Sequence, residues 1–137
     1  MILQLKRQHL TLLREEARRV NPIEACALLF GNSTQKKTLV KKIVFAYNNL
    51  NSSIRFEIDP TFVIESFSEA EKAGMDLVSI FHSHPAPSKP SLVDLRYMKL
   101  WGDVLWLILS LTDNSLAAYQ MIGEKAKKIQ IKLIKTP

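Results

Sequence analysis

An apolar strand pattern at 76–82 (Asp-Leu-Val-Ser-Ile-Phe-His) runs without a break into a second histidine and then into a loop with three prolines. No other stretch restricts the chain so tightly. In an extended segment residues i and i+2 point to the same side. His82 and His84 at a strand end therefore present two imidazoles to one point. Imidazole nitrogen is a favoured neutral ligand for zinc, bonding at about 2.0–2.1 Å. Asp94, one turn into the helix expected after the loop, is the natural third ligand. A carboxylate there leaves the fourth tetrahedral position to water, the layout of a catalytic rather than a structural site. Pro85, Pro87 and Pro90 stiffen the chain reversal, because proline fixes φ and keeps the residue before it out of helix.

The same residues admit a plainer reading. Ser91-x-x-Asp94 after a proline matches a capping box, with Ser91 as N-cap and an acid three residues on. Taken alone that spacing argues for a cap, and His-x-His alone is a weak sign of metal. The joint pattern of paired histidines, braced loop and following acid argues for a metal centre. A zinc hydrolase also needs a general base, and HExxH is absent. Glu24 is the candidate, since it opens an apolar run where an unpaired carboxylate is costly; an exposed acid at the strand's beginning is its alternative. Glu57, in the short strand expected at 56–58, is the second candidate. Ser91 has a further use as hydroxyl donor to an oxyanion. Cys26 lies in an apolar run, where a free thiol behaves as a small core side chain rather than a nucleophile. His9 reads as an exposed residue of the first helix.

Around this stretch the pattern predicts a helix at 7–20 with Leu10, Leu13, Ala17 and Val20 on one face. Strands at 24–31 and 38–47 form a hairpin, and Asp59-Pro60 opens a helix over 60–73 that buries Phe62, Val63, Phe67 and Ala70. Another helix runs from Ser91 through Trp101. Strands follow at 104–111, 116–122 and 127–134, the last two as a hairpin around Gly123. The order implies an α/β fold with a mixed, mostly antiparallel sheet flanked by helices, as one domain over 1–137. One cysteine excludes intrachain disulfides and multi-thiolate zinc sites. No apolar run reaches membrane-spanning length and no secretory leader pattern is present, so a cytoplasmic, membrane-free protein is expected. The net charge of +6 draws on Lys125, Lys127, Lys128, Lys132 and Lys135, read as a solvated face that blunts a sheet edge; no nucleic-acid signature accompanies them.

These residues together resemble the JAMM motif of the JAB1/MPN/Mov34 metalloenzymes: Glu24, then His82-Ser83-His84-Pro85, then Pro90-Ser91-Leu92-Val93-Asp94. Glu24-x-x-x-Leu28-Leu29-x-Gly31 and Arg55-Phe56-x-Ile58-Asp59-Pro60 are similar to flanking segments of that family. The resemblance spans nearly the whole chain. It implies the MPN domain, a curved, barrel-like sheet, with one zinc per chain on His82, His84 and Asp94. It further implies Glu24 as general acid/base and Ser91 as stabiliser of the oxyanion. The implied activity is a deubiquitinase- or desampylase-like isopeptidase acting after the Gly-Gly tail of a ubiquitin-like modifier, with the tail added as a strand to an exposed edge. Release of cysteine or a short peptide from a sulfur carrier, or a non-catalytic MPN scaffold, are the alternatives, and a homodimer is compatible. The chain is similar to compact archaeal and bacterial members. Two departures stand out: nine residues separate His84 from Asp94 where ten are usual, and Ala27 replaces a frequent glycine.

Overall fold

The computed structural model describes residues 1–85 and 88–135; Pro87 of the predicted proline brace lies outside the described residues. The elements run β1 (Ile2–Lys6), α1 (Arg7–Val20), β2 (Cys26–Ser33), β3 (Lys37–Ala46), α2 (Pro60–Lys72), β4 (Asp76–His84), α3 (Leu92–Met98), β5 (Leu105–Ser110), β6 (Leu116–Ile122) and β7 (Lys125–Ile134). A short 3₁₀ turn, Lys99–Trp101, continues α3.

The strands close into a barrel in the order β1-β3-β2-β4-β5-β6-β7. Pairs β1–β3, β1–β7 and β4–β5 are parallel, and the other four are antiparallel. Every strand adds a side chain to one apolar cluster, among them Leu3, Ala27, Val40, Phe81, Leu107, Ala118 and Ile129, so this is the barrel's inner face. Leu10, Leu13 and Ala17 of α1 join that cluster. A second cluster lies on the outer face of β2, β4, β5 and β6, where Leu28, Ile80, Trp106 and Ile108 meet Ala70 of α2 and Met98 of α3. Burial on both faces explains why β2 and β5 read as unbroken apolar runs rather than alternating ones.

Local signals placed most elements. Asp59 caps α2 by accepting the Thr61 N–H at 3.0 Å, with Pro60 in the first turn. Gly74 follows α2 at φ +72°, a left-handed conformation that glycine adopts without strain.

Several expectations are corrected. β1 was not expected: its alternation is short, and its partners β3 and β7 lie far off in sequence. Residues 56–58 form no strand; they belong to a loop organised by Asn48, whose side chain donates to the Ser52 and Arg55 carbonyls and accepts the Leu50 and Glu57 N–H groups. Phe56 and Ile58 still bury themselves from that loop. Phe67 is exposed, while His9 is buried. The lysines of β7 face solvent; Lys125–Ile129 pair with β6 alone and Gln130–Ile134 with β1 alone, so each half of β7 keeps one unpaired side. Among the described residues no helix is long and apolar enough to cross a membrane.

Gly31 marks a register shift in the β2–β3 ladder. A Cβ there would sit 1.9 Å from the Leu39 carbonyl oxygen. Gly31→Ala must displace backbone, so it is expected to lower unfolding free energy by about 3 kcal/mol in urea titration.

Candidate metal centre

β4 is held on both sides, with His82 opposite Cys26 of β2 and Ile108 of β5. Its two histidines lie at the end of the strand, His84 as its last residue, and point the same way. Their Nε2 atoms are 3.0 Å apart. Stacking orients His82: the Phe56 ring lies on it with centroids 4.6 Å apart, while Nδ1 is buried without a partner among the described residues.

Asp94 sits in the first turn of α3. The capping box is present: Ser91 Oγ accepts the Asp94 N–H at 3.0 Å, and Asp94 Oδ2 accepts the Ser91 N–H at 2.8 Å. The same Oδ2 lies 2.9 Å from His84 Nε2 and 3.3 Å from His82 Nε2. Cap and cluster are thus one arrangement. The three separations define a circle of about 1.8 Å radius, smaller than a zinc bond of about 2.0–2.1 Å, so one point lies at bonding distance from all three atoms. Two imidazoles and a carboxylate are also the donor chemistry zinc takes, and the residues fit that ion.

Glu24 precedes β2 instead of opening it, and is 2% exposed. Its backbone is tied at both ends, donating to the Ser52 carbonyl at 2.8 Å and accepting from Asn48 Nδ2 at 3.2 Å. Its neighbour is gripped by the residue between the histidines: Ser83 Oγ accepts the Ala25 N–H at 2.8 Å, and the Ser83 N–H donates to the Ala25 carbonyl at 3.0 Å. One ligand atom from each of Glu24, His82, His84 and Asp94 falls within 4.8 Å of the others. Glu24 Oε1 is buried with no partner among the described residues. An orphaned carboxylate oxygen beside this cluster suits a cation or a proton donor.

The electrostatics follow. Burial raises the Glu24 carboxyl to about 8, against the pull of His84 and with the help of Asp94. Burial lowers His82, opposed by Asp94. Burial works to raise Asp94, but hydrogen bonds from His82, His84 and the Ser91 backbone outweigh it and hold the carboxyl well below the usual range.

Two other candidates, Glu57 and Cys26, fall away. Glu57 is exposed and outside the cluster. Cys26 is buried, donates to the Ala46 carbonyl at 3.5 Å, and is pushed up to about 12 by burial, as an inert core thiol should be. Ser91 is placed as the cap. Sequence reasoning missed Ser83, Asn48 and Phe56; only the position of Ser83 between the histidines hinted at a role. A cleft of about 500 Å³ opens beside Glu24, lined by Val20, Ile23, Phe45, Ile58 and Phe62. Ala46 lines it beside Phe45 at the end of β3, and there β3 is paired on one side only: its pairing with β1 covers Lys37–Leu39, and 42–46 meet β2 alone.

Comparison with known proteins agrees. Residues 6–122 match the prokaryotic homologues of the JAB domain. A desampylase of Pyrococcus furiosus is 39% identical over 115 residues, covering 82% of this chain and 76% of that protein. A desampylase of Haloferax volcanii is 28% identical over 119 residues, covering 86% and 84%. A solution structure from Desulfitobacterium hafniense superposes with a TM-score of 0.88 at 26% identity, covering 99% of this chain and 94% of that one. A JAB1/MPN domain protein from Archaeoglobus fulgidus shares the fold, with a TM-score of 0.64 at 20% identity over 97% of both chains.

Two outcomes are expected. Asp94→Asn keeps an acceptor for the Ser91 N–H and loses the charge; zinc affinity by chelator competition should fall at least about 100-fold while the metal-free protein stays folded. In metal-free protein Glu24 holds its proton more tightly folded than unfolded. From its ordinary value of 4.5 up to about 8 the unfolded chain therefore binds fewer protons, and stability declines as pH rises. Denaturant titrations across that window should show the slope in the parent protein and a flatter profile in Glu24→Gln.

Proposed function

The chain belongs to the prokaryotic homologues of the JAB domain, and we propose that it is a zinc-dependent isopeptidase that cuts after the Gly-Gly tail of a ubiquitin-like modifier. The observation that carries this reading is the convergence of His82 Nε2, His84 Nε2 and Asp94 Oδ2, with the Glu24 carboxyl alongside. The names of the two desampylase relatives support the modifier as substrate class.

His82, His84 and Asp94 hold the metal, and the chemistry zinc supplies there is Lewis acidity toward water and the scissile carbonyl. Glu24 does the proton work: its carboxylate takes a proton from the attacking water and returns it to the departing lysine amine. Burial sets this group's affinity for a proton high, and a neighbouring dication draws it back down, which brings the base toward neutral pH. Ser91 spends one lone pair on the Asp94 N–H and keeps its hydroxyl proton for a developing oxyanion. A half-paired edge for the tail lies at the end of β3, where Phe45 and Ala46 pair with β2 alone beside the Glu24 cleft and an extended glycine-rich segment adds as a strand. A scaffold role would need neither four converging donors nor a buried, unpartnered carboxyl.

With a modifier–lysine conjugate as substrate, Glu24→Gln should retain about one zinc per chain by metal analysis. Its turnover should fall by about 10²–10⁴-fold. A fully active Glu24→Gln, or a parent protein that binds no zinc, would sink the mechanism.

A further inference from the structure

The ligands come from two elements of unequal firmness. β4 is locked between β2 and β5, whereas Asp94 rides on α3, a helix of 7 residues reached through a loop. The hairpin of β5 and β6 grips that loop. The Leu111 N–H donates to the His84 carbonyl at 2.9 Å. Thr112 Oγ1 donates to the Pro85 carbonyl. Ser115 Oγ and Ser88 Oγ are 2.9 Å apart, and Tyr119 OH donates to the Ser88 carbonyl at 2.9 Å. Ser88 is therefore held through both its backbone and its side chain, three residues before the cap Ser91. Tyr119 is 8% exposed, packs in the outer core and pairs with Trp106 across β5–β6, so its hydroxyl is a fixed point.

We infer that Tyr119, with Ser115 as its companion, is a positioning residue for the metal centre: through Ser88 it sets where α3 begins and so where Asp94 Oδ2 meets the two histidines. The inference rests on the zinc reading above. Tyr119 is not one of the cluster residues and bonds Ser88 instead; it acts through the loop. Outer groups that orient a ligand usually change metal affinity about 10–100-fold when removed, and here the oriented ligand is the only one outside β4.

The test is Tyr119→Phe, which deletes one hydroxyl and keeps the ring. Zinc affinity is measured by chelator competition, zinc release by stopped flow, and the unfolding temperature on metal-free protein. The expected result is zinc binding weakened about 10-fold, with faster release and a metal-free unfolding temperature close to the parent's. Unaltered zinc affinity, with or without a lower unfolding temperature, assigns Tyr119 to packing alone and overturns the inference. A parent protein that binds no zinc overturns the metal reading instead. If Tyr119→Phe does not fold, Ser115→Ala removes the other hold on Ser88 and reads the same quantity, with weakened zinc expected and parental affinity as the overturning result.

Discussion

One oxygen joins the fold to the chemistry. Asp94 Oδ2 accepts the Ser91 N–H and at the same time faces both histidine Nε2 atoms. The first hydrogen bond satisfies a donor that every helix start leaves open. It also fixes the rotamer of a short acidic side chain, so the carboxylate is aimed before any cation arrives. Capping and ligation had looked like rival explanations of Ser91-x-x-Asp94, yet one carboxylate oxygen both closes the cap and faces the two histidines, so the readings are compatible.

Around that oxygen the charges are arranged at a cost. One ligand atom from each of two carboxyls and two imidazoles lies within 4.8 Å of the others, and all four side chains are buried. The metal-free cluster manages this by division: Asp94 stays ionised on its hydrogen bonds, His82 stays neutral, and Glu24 is driven toward its protonated form. Such a set is poised for a dication, which would stabilise the ligands and release the Glu24 proton together.

Much of this was legible because the decisive patterns are local. Period-two alternation put His82 and His84 on one side of β4, Asp59-Pro60 announced α2, and the spacing of Leu10, Leu13 and Ala17 marked the inward face of α1. What stayed hidden depends on closure of the barrel. Five residues of β1 mean little until β3 and β7 flank them. Phe56 and Ile58 alternate like a strand, but they join no ladder, and Asn48 bonds the Arg55 carbonyl and the Glu57 N–H on either side of Phe56 instead. His9 is buried because α1 packs against the barrel's inner face, which its own sequence does not reveal. The lysines of β7 suggested an edge, and closure leaves Lys125, Lys127 and Lys128 paired on the β6 side only, while β1 covers Gln130–Ile134. Glu24 was nameable as a base through the motif, while its placement comes from Ser83, Ser52 and Asn48, each far along the chain.

The shortened spacing between His84 and Asp94 shows how these levels combine. A loop that alone determined where Asp94 lies would shift the carboxylate when a residue is lost. Here the ends are set independently of loop length. The His84 carbonyl is tied to Leu111, and the start of α3 is governed by the capping box and by contacts to Ser88 from Ser115 and Tyr119. The nine intervening residues only have to bridge two points already fixed. With both ends held by contacts of their own, one residue fewer leaves the cluster assembled.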